Sequence, residues 1–470
     1  MYEEKKVGEE LAPVPTTDFG DVQDYPKTDA THDAVFGEIN EDGPNYRDVG
    51  WMGTVILMMK TQIGLGVLGI PSALHTLGMV PGVIILIVVA CMTTWSGYMV
   101  GKFKLLHPHV YGIDDAGAIF GGRIGREILW FGFVIYFLFL SASAMLGISI
   151  GFNALSVHGA CTAIFVAVAA IIGMLFGSIR TLGKVSWIAW AGVGGILTAV
   201  FALTIAVGVQ DRPSDAPQTG PYKSDSRFNV ISDPTFEEAI SAVATIVFAF
   251  AGSPAFFSII SEMRNPKDYT KSLIIAQAGV TLVYLVIGIV VYYYCGSYVA
   301  SPALGSAGPL MKRVCYGIAL PGLIASCMLF VHLPAKSIFM RVMRGSKHLT
   351  ANTAVHWLTW LSCTGGVVIV AYLIGSGIPV FDGLISLIGA LLATFMSFQP
   401  MGCMWLYDNY KRSVSERDAK WYGQFAWVVF IITAGTFVMI AGTYGAVVGI
   451  INSSDRTAPW SCADNSNSVK

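Results

Sequence analysis

Apolar residues dominate eleven stretches between positions 51 and 450, and short polar stretches separate them. About 20 apolar residues in a helix cross the ~30 Å hydrocarbon core of a bilayer, so each stretch predicts a transmembrane helix. The predicted spans are 51–75, 79–101, 127–152, 160–179, 185–209, 236–260, 272–295, 314–337, 354–374, 380–402 and 424–450. The division of 160–209 into two spans rests on a polar turn at 178–184. The pattern therefore predicts an all-α integral membrane protein.

Two of these spans carry helix breakers near their centres. The breakers are Gly64, Gly66, Gly69 and Pro71 in the first span, and Gly252, Ser253 and Pro254 in the sixth. A broken helix leaves N–H and C=O groups that hydrocarbon does not solvate, so it is tolerated only where protein or a water-filled cavity meets them. Interruptions at corresponding places in two halves are the best pointer in a sequence to the substrate site of a transporter.

The breaks in spans one and six also predict an architecture. Spans 1–5 (51–209) and 6–10 (236–402) would form two inverted repeats related by a pseudo-two-fold axis, as in LeuT-type transporters, with 424–450 as an extra helix. Residues 451–470 would form a short tail on the far side of the membrane. The two halves share no evident residue identity, so this layout rests on the positions of the breaks and the number of spans.

Composition and charge agree with a membrane protein and predict its orientation. Only 13% of residues are charged, about half the fraction typical of soluble domains. Residues 1–50 hold thirteen Asp and Glu against four Lys and Arg, which predicts a disordered acidic tail without a signal peptide. The even-numbered connections hold seventeen Lys and Arg and the opposite side seven, so the N-terminus is expected in the cytosol and the C-terminus outside. The sequon at Asn452 would then face outward.

The first break predicts a site for a zwitterion. N–H groups at the start of the outer half-helix carry the positive end of the helix dipole and suit a carboxylate, while the last carbonyls of the inner half suit an ammonium group. The predicted substrate-binding residues here are Thr61, Gln62, Gly64, Leu65, Gly66 and Val67. The alternative is close helix packing through small residues, which is common in membranes.

The second break adds aromatic side chains beside the interruption. Its predicted substrate-binding residues are Phe248, Ala249, Phe250, Gly252 and Ser253. Phe256 and Phe257 would act as gates that cover an apolar substrate side chain and exclude water. The alternative is that these phenylalanines are lipid-facing filler.

At the second break the sequence resembles the amino acid/auxin permease family. The motifs are the Ala251-Gly252 pair, Glu262-Met263 and Asn265-Pro-Lys-Asp268, and residues 63–78 and 332–348 are similar to helix 1 and to the exit of helix 8 in that family. The likeness runs from about 48 to 450 and is greatest to the fungal neutral amino acid (N-system) permeases. It implies an eleven-helix LeuT-type fold, secondary active transport of amino acids and a substrate cradle in helices 1 and 6.

One position departs from sodium-coupled relatives, which place an asparagine four residues before the first glycine of the break. Here that residue is Lys60, nine residues beyond Trp51 and therefore ~13 Å into the membrane. A charged side chain at such depth raises the free energy of membrane insertion by ~2.5–3.5 kcal/mol, so a lysine without a function is not expected there. Lys60 is predicted to replace sodium or to carry the coupling proton. The alternative is a side chain that extends to the cytosolic interface.

Other ionisable residues near the membrane give weaker signals. Glu262 is predicted to latch an inner gate by pairing with a basic residue, unless it is an interfacial charge. His332 would relay protons or pack with hydrogen bonds, Asp382 would cap the tenth helix, and Lys336 would reach the inner interface. Cys295 and Cys315 are candidates for a disulfide on the outer side.

These features predict a proton-coupled importer of neutral aliphatic and aromatic amino acids in the plasma membrane. It would need no metal or cofactor other than the proton, bind no nucleic acid and act as a monomer in the bilayer. The alternatives are an amino acid-sensing receptor, a sodium-coupled transporter and a vacuolar transporter. An integral membrane enzyme is not expected, because the membrane segments contain no HxxxH, HExxH or GxSxG arrangement.

Overall fold

The computed structural model describes most of the predicted membrane domain and parts of both tails. The described residues are 32–33, 37–38, 47–217, 219, 228–346, 348–349, 351–378, 381–410, 417–452 and 458–468. Most of the predicted disordered tail and the last two residues of the sequon therefore lie outside the described residues. Before residue 47, the described residues form two short strands, His32–Asp33 and Gly37–Glu38, which pair antiparallel.

Helices make up nearly all the rest. In the first half of the chain they are α1 (Trp51–Gln62), α2 (Gly66–Leu77), α3 (Met79–Leu106), α4 (Ile113–Ser156), α5 (Thr162–Gly177) and α6 (Leu182–Val209). In the second half they are α7 (Phe236–Phe250), α8 (Ser253–Ser261), α9 (Tyr269–Cys295), α10 (Pro309–Met343), α11 (Ala354–Gly377), α12 (Phe381–Leu387), α13 (Thr394–Ser397), α14 (Gln399–Tyr410) and α15 (Ala419–Asn452). A π-helical segment, Ile388–Ala393, joins α12 to α13.

Every predicted span lies on a helix or on a chain of helices. Among the described residues, nine helices or continued helices are long and apolar enough to cross a membrane, and the bent pair α1–α2 makes a tenth. The remaining predicted span, 160–179, corresponds to α5, which has only 16 residues. The all-helical membrane architecture is thus confirmed, whereas the count of eleven spans stays a prediction.

The interrupted helices lie at the centre of the bundle. The most apolar window of Phe236–Ser261 is 89% buried within the protein, whereas that of Ala419–Asn452 is 22% buried. A helix that is apolar all round but little buried faces lipid. Helix α7 packs against α2 and α15, and α10 packs against α6 and α4. The two breaks are therefore enclosed by protein, as broken helices in a membrane require.

The C-terminal residues 458–468, called the strap here, fold back over one end of the bundle. A disulfide joins Cys462 to Cys161 at the start of α5. Further bonds tie the strap to four helices: Asn465 donates to Ser149 Oγ of α4, Thr162 of α5 donates to the Ala463 carbonyl, Lys312 of α10 donates to the Ser466 carbonyl, and the Trp460 N–H donates to the Ser376 carbonyl of α11. The strap thus links α4, α5, α10 and α11.

The candidate disulfide between Cys295 and Cys315 does not form. Both thiols are free and buried, and the bridge joins Cys161 to Cys462 instead. The true partners are 301 positions apart in the sequence, so only the folded chain reveals that the strap returns to α5.

Candidate functional site

The first interruption separates α1 from α2 at Ile63, Gly64 and Leu65. The two helices meet at an angle of 48°. Ile63 is extended, and its N–H still bonds to the Met59 carbonyl, which closes α1. Helix α2 then begins at Gly66, so the carbonyl end of one helix and the N–H end of the next face the same gap. This is the break that the glycine spacing predicts.

The second interruption lies at Ala251 and Gly252, between α7 and α8. Pro254 occupies the first turn of α8, where its missing N–H is tolerated. The bend is gentler than in the first pair, and Phe236–Ser261 still forms one 26-residue span. The predicted break is therefore present as a two-residue gap in the hydrogen-bond ladder rather than as a sharp kink.

The two interruptions touch each other. A Cβ atom on Gly66 would lie 2.6 Å from the Ala249 Cα, and one on Gly252 would lie 2.5 Å from the Thr61 Oγ1. Both distances are shorter than any normal contact, so each helix break needs glycine to approach the other. The carbonyl ends of α1 and α7 and the N–H starts of α2 and α8 consequently share one small region.

Two buried tyrosines reach this region, and the sequence analysis missed both. The Tyr284 hydroxyl of α9 lies 2.8 Å from the Gln62 carbonyl and 2.8 Å from the Ala249 carbonyl. The Tyr136 hydroxyl of α4 donates to the Ala251 carbonyl. These carbonyls lie at the helix ends, where the intrahelical ladder leaves oxygen atoms without partners. Tyrosine hydroxyls thus bind the open carbonyl ends of both α1 and α7.

Lys60 is fully buried beside the first break. Its Nζ donates to the Ile63 carbonyl at 3.0 Å and does not reach the interface, contrary to the alternative of an extended side chain. A Cβ on Gly64 would lie 2.7 Å from the Ser326 Oγ and 3.9 Å from the Lys60 Nζ, while one on Gly192 would lie 3.4 Å from the Lys60 Cε. The ammonium group therefore sits where α1, α6 and α10 meet.

Aromatic side chains pack around the second break. The Phe250 ring meets the Tyr284 ring at 4.9 Å between centroids, with planes at 70°. Phe256 lies against Gly252 and Gly97, and Phe257 is fully buried. None of these phenylalanines faces lipid, so the filler alternative does not hold for them.

The predicted substrate-binding residues lie together and are nearly all buried. Gln62, Gly64, Leu65, Gly66, Val67, Phe248, Ala249, Phe250, Gly252 and Ser253 are buried, while Thr61 is partly exposed. Thr61 Oγ1 and Gln62 Nε2 both donate to the Met58 carbonyl. By contrast, Gln62 Oε1, Ser253 Oγ and Ser326 Oγ are buried without a partner among the described residues. Buried polar atoms are normally hydrogen-bonded, so these three atoms could bind a polar group that enters the breaks.

The π-helical segment was not predicted from the sequence. A Cβ on Gly389 would lie 2.0 Å from the Ala244 carbonyl and 3.0 Å from the Phe248 Cβ, so the segment presses directly against α7. Single π-turns inside α-helices occur frequently at functional sites. Gly389-Ala390 gave the only local hint, since small residues permit such a close approach.

A buried ion pair lies at the end of the bundle opposite the strap. Lys336 of α10 donates to Glu262 Oε1 just beyond α8, and Glu262 Oε2 accepts from the Leu182 N–H of α6 at 3.1 Å. The backbone of Val49 pairs with both sides of Met263, since its N–H donates to the Glu262 carbonyl and its carbonyl accepts from the Arg264 N–H. We call this group the latch: Val49, Leu182, Glu262 and Lys336.

The latch decides two predictions about charge. Lys336 is 2% exposed and pairs with Glu262, so the prediction that it reaches the interface is wrong. Glu262 is fully buried, which rules out the interfacial alternative for its carboxylate. Glu262 does pair with a basic residue, as the sequence predicts, but the sequence could not identify Lys336 as the partner, because Glu262 lies just beyond α8 and Lys336 lies on α10.

Two further candidates lie away from the breaks. His332 is fully buried, and its ring meets that of Trp360 at 5.5 Å between centroids. Asp382, in the first turn of α12, accepts a hydrogen bond from the Ser301 hydroxyl. Within the described residues, no cluster of three His, Cys, Asp or Glu side chains is placed to bind a metal ion.

Comparisons with known proteins identify what the chain is similar to. Residues 47–448 match the family model described as "Transmembrane amino acid transporter protein". A "Transmembrane transporter" of Fusarium pseudograminearum is 36% identical over 461 residues, covering 97% of this chain and 95% of that relative. The "N amino acid transport system protein" of Neurospora crassa is 30% identical over 432 residues, covering 91% of each chain.

A solved structure is similar in fold. The substrate-bound, outward-open Na⁺-coupled sialic acid symporter has a TM-score of 0.54 to this chain, with 89% of this chain and 94% of that chain covered. Only 11% of the aligned residues are identical, so the likeness concerns the LeuT-like fold alone.

Proposed function

Because the chain belongs to the transmembrane amino acid transporter family, the amino acid/auxin permeases, we propose that it is a proton-coupled symporter of neutral amino acids. Membership confirms the resemblance carried by the motifs around both breaks. The observation that carries the proposal is the direct contact between the two interruptions, at Gly66 with Ala249 and Gly252 with Thr61. Alternating access would then proceed around a fixed site at mid-membrane, in eleven spans arranged as five plus five and one.

The geometry of the helix ends supports a zwitterionic substrate. The N–H groups at Gly66 and Val67 carry the positive dipole end of α2 and would bind the carboxylate. The carbonyls of Gln62 and Ala249 would bind the ammonium group, since they lie at the negative ends of α1 and α7. Side chains that touch the breaks are uncharged apart from Lys60, which supports neutral side chains on the substrate.

The position of Lys60 supports proton coupling. In the described part of the chain, its ammonium group forms no ion pair, and it donates a hydrogen bond to the Ile63 carbonyl. The Ser326 hydroxyl lies near the neighbouring Gly64. A desolvated lysine readily changes protonation state. A charged Lys60 would supply the positive charge that a sodium ion provides in sodium-coupled relatives, and loss of its proton would release the substrate. His332 is proposed as a second proton-accepting group.

The latch and the aromatic residues are proposed as gates. Phe256 and Phe257 would cover the substrate side chain from within α8. The latch would close the pathway on the opposite side from the strap, because it joins α8 to α6, α10 and the segment before α1. Opening toward that side would require Glu262 and Lys336 to separate.

Charge and redox chemistry support the orientation. Seventeen Lys and Arg in the connections on the latch side against seven on the strap side favour a cytosolic latch. Disulfides persist in oxidising compartments, so the bridge from Cys161 to Cys462 favours an exterior or lumenal strap. We further propose that the protein acts in the plasma membrane and as a monomer.

Transport by purified protein in lipid vesicles tests the proposal. We expect labelled neutral amino acids to accumulate without sodium when a pH gradient is imposed, and accumulation to stop when a protonophore removes the gradient. Uptake that requires sodium and ignores pH would refute proton coupling and favour a sodium-coupled transporter. Binding without counterflow exchange would instead indicate an amino acid-sensing receptor, and localisation of the tagged protein would decide between plasma and vacuolar membranes.

A further inference from the structure

Tyr284 occupies a position that joins the two interrupted helices. Its hydroxyl lies 2.8 Å from the carbonyl of Gln62, the last residue of α1, and 2.8 Å from the carbonyl of Ala249, in the last turn of α7. The side chain is fully buried, and the Phe250 ring packs edge-on against it. No other side chain in the described part of the chain is bonded to both of these helix ends.

The Tyr284 hydroxyl has fewer protons to donate than there are carbonyl oxygens to accept them at this junction. A phenol carries one proton, so it donates a full hydrogen bond to one carbonyl at a time. The last carbonyls of a helix have no N–H partner within that helix. When the Tyr284 proton is donated to one carbonyl, the other carbonyl faces only the lone pairs of the phenol oxygen. The junction is therefore short of hydrogen-bond donors and rich in oxygen acceptors.

A substrate amino group supplies the missing donors. Building on the proposed function, we propose that Tyr284 is the residue that selects for the substrate's ammonium group. One N–H would donate to the unserved carbonyl and a second to a lone pair of the Tyr284 oxygen, while the phenol proton stays on the other carbonyl. The third N–H remains for a neighbouring acceptor, such as Thr61 Oγ1 on the same turn as Gln62.

This proton count discriminates between ligands that share a side chain and a carboxylate. An α-hydroxy acid brings a single proton in place of three, and an N,N-dimethyl amino acid brings a single N–H with two bulky methyl groups. Neither satisfies the carbonyl and the phenol oxygen together. Primary α-amino acids are therefore the class of substrate that the junction fits.

Tyr269 provides a matched control on the same helix. It is also fully buried, and its hydroxyl donates to the Gly97 carbonyl of α3 at 2.8 Å rather than to a carbonyl at either break. Tyr284→Phe and Tyr269→Phe remove the same atom from α9. Only the first removes it from the junction of the interrupted helices.

The test measures KM and the maximal rate of uptake of a labelled neutral amino acid in lipid vesicles, together with inhibition by its α-hydroxy and N-methylated analogues. For Tyr284→Phe we expect KM to rise about 10-fold to 100-fold, because a hydrogen bond to a charged group is lost, with a much smaller change in maximal rate. The preference for the amino acid over its α-hydroxy analogue should shrink by a similar factor. Tyr269→Phe should change neither quantity.

Several outcomes would overturn the inference. A KM for Tyr284→Phe within twofold of the unmodified protein, or equal increases in both variants, would do so. If Tyr284→Phe does not fold, the inhibition measurements on the unmodified protein still test the inference. Inhibition of uptake by the N,N-dimethyl analogue that is as strong as inhibition by the primary amine would refute amine selection. Vesicles of unmodified protein that neither accumulate nor exchange any amino acid would refute the proposed function itself.

Discussion

Lys60 donates to a backbone carbonyl, and within the described residues it forms no ion pair with a carboxylate. The acceptor is the Ile63 carbonyl, at 3.0 Å, and the Ser326 hydroxyl lies near the neighbouring Gly64. A buried carboxylate would stabilise the charged form permanently, whereas carbonyl and hydroxyl dipoles leave both protonation states accessible. At the residue scale, this environment distinguishes a group that can exchange a proton from one that only neutralises a charge.

Lys60→Gln tests that distinction. Glutamine retains a donor for the Ile63 carbonyl but cannot carry a proton, so accumulation driven by a pH gradient should be lost. Counterflow exchange of labelled amino acid, which needs no gradient, should remain in part. Vesicle uptake with and without the gradient measures both. Gradient-driven accumulation at the level of the unmodified protein would show that Lys60 is not the coupling group.

The latch gives a second prediction at the residue scale. Glu262→Gln or Lys336→Met alone leaves a buried charge without its partner, which costs about 3–5 kcal/mol, so the unfolding temperature should fall markedly. The double variant should recover much of that loss. Thermal unfolding of the four proteins in detergent gives the coupling.

Glu127→Gln is the matched control for the latch. The Glu127 pair with Arg341 has side chains 39% and 38% exposed, and exposed pairs contribute about 0–1 kcal/mol. Its unfolding temperature should stay close to that of the unmodified protein. Additive losses in the latch double variant would refute energetic coupling between Glu262 and Lys336.

At the scale of elements, the close contact of α2 with α7 is set by glycine. Gly66→Ala would place a methyl group 2.6 Å from the Ala249 Cα, so the helices must separate. Overpacking of this kind costs about 1–3 kcal/mol and would also displace the Gly66 N–H from the carboxylate position. We expect substrate affinity to fall more strongly than stability, as measured by KM and by thermal unfolding.

Gly194→Ala on α6 is the corresponding control, because a Cβ there meets nothing within 4 Å. Its KM and unfolding temperature should equal those of the unmodified protein. An unchanged KM for Gly66→Ala would mean that the contact between the breaks serves packing only.

The interrupted elements could be predicted from the sequence, but their partners could not. Glycine and proline act on the backbone locally, so Gly64, Gly66 and Pro254 revealed both breaks without any tertiary information. Tyr284 lies 222 residues from its partner Gln62, and Tyr136 lies 115 residues from Ala251. Those hydroxyls sit in ordinary apolar spans, where nothing in the local pattern separates them from interfacial tyrosines.

At the scale of the whole molecule, the strap fastens four helices at one end of the bundle. Cys462→Ser should release it from α5 and lower the unfolding temperature, because a disulfide that closes a long loop contributes about 2–4 kcal/mol. Cys91→Ser, at an exposed free cysteine, should have no such effect. Thermal unfolding with and without reductant measures the difference, which should vanish under reducing conditions.

The sidedness of the same bridge tests the orientation. A membrane-impermeant reductant added to intact cells should reduce Cys161 and Cys462 if the strap is extracellular, and subsequent thiol labelling would detect it. Protection in intact cells but reduction in permeabilised ones would place the strap in an internal lumen. That result would favour a vacuolar transporter.

The short backbone pairing ahead of α1 connects the residues before α1 to the chain that follows α8. The Val49 backbone forms hydrogen bonds with Glu262 and Arg264, on either side of Met263, and Asp48 forms an ion pair with the Arg264 guanidinium. Displacement of the residues before Asp48 must therefore break these hydrogen bonds and this ion pair before it can move α1. We therefore expect a protein that binds the residues before Asp48 to disturb the pairing at Met263 before it disturbs α1.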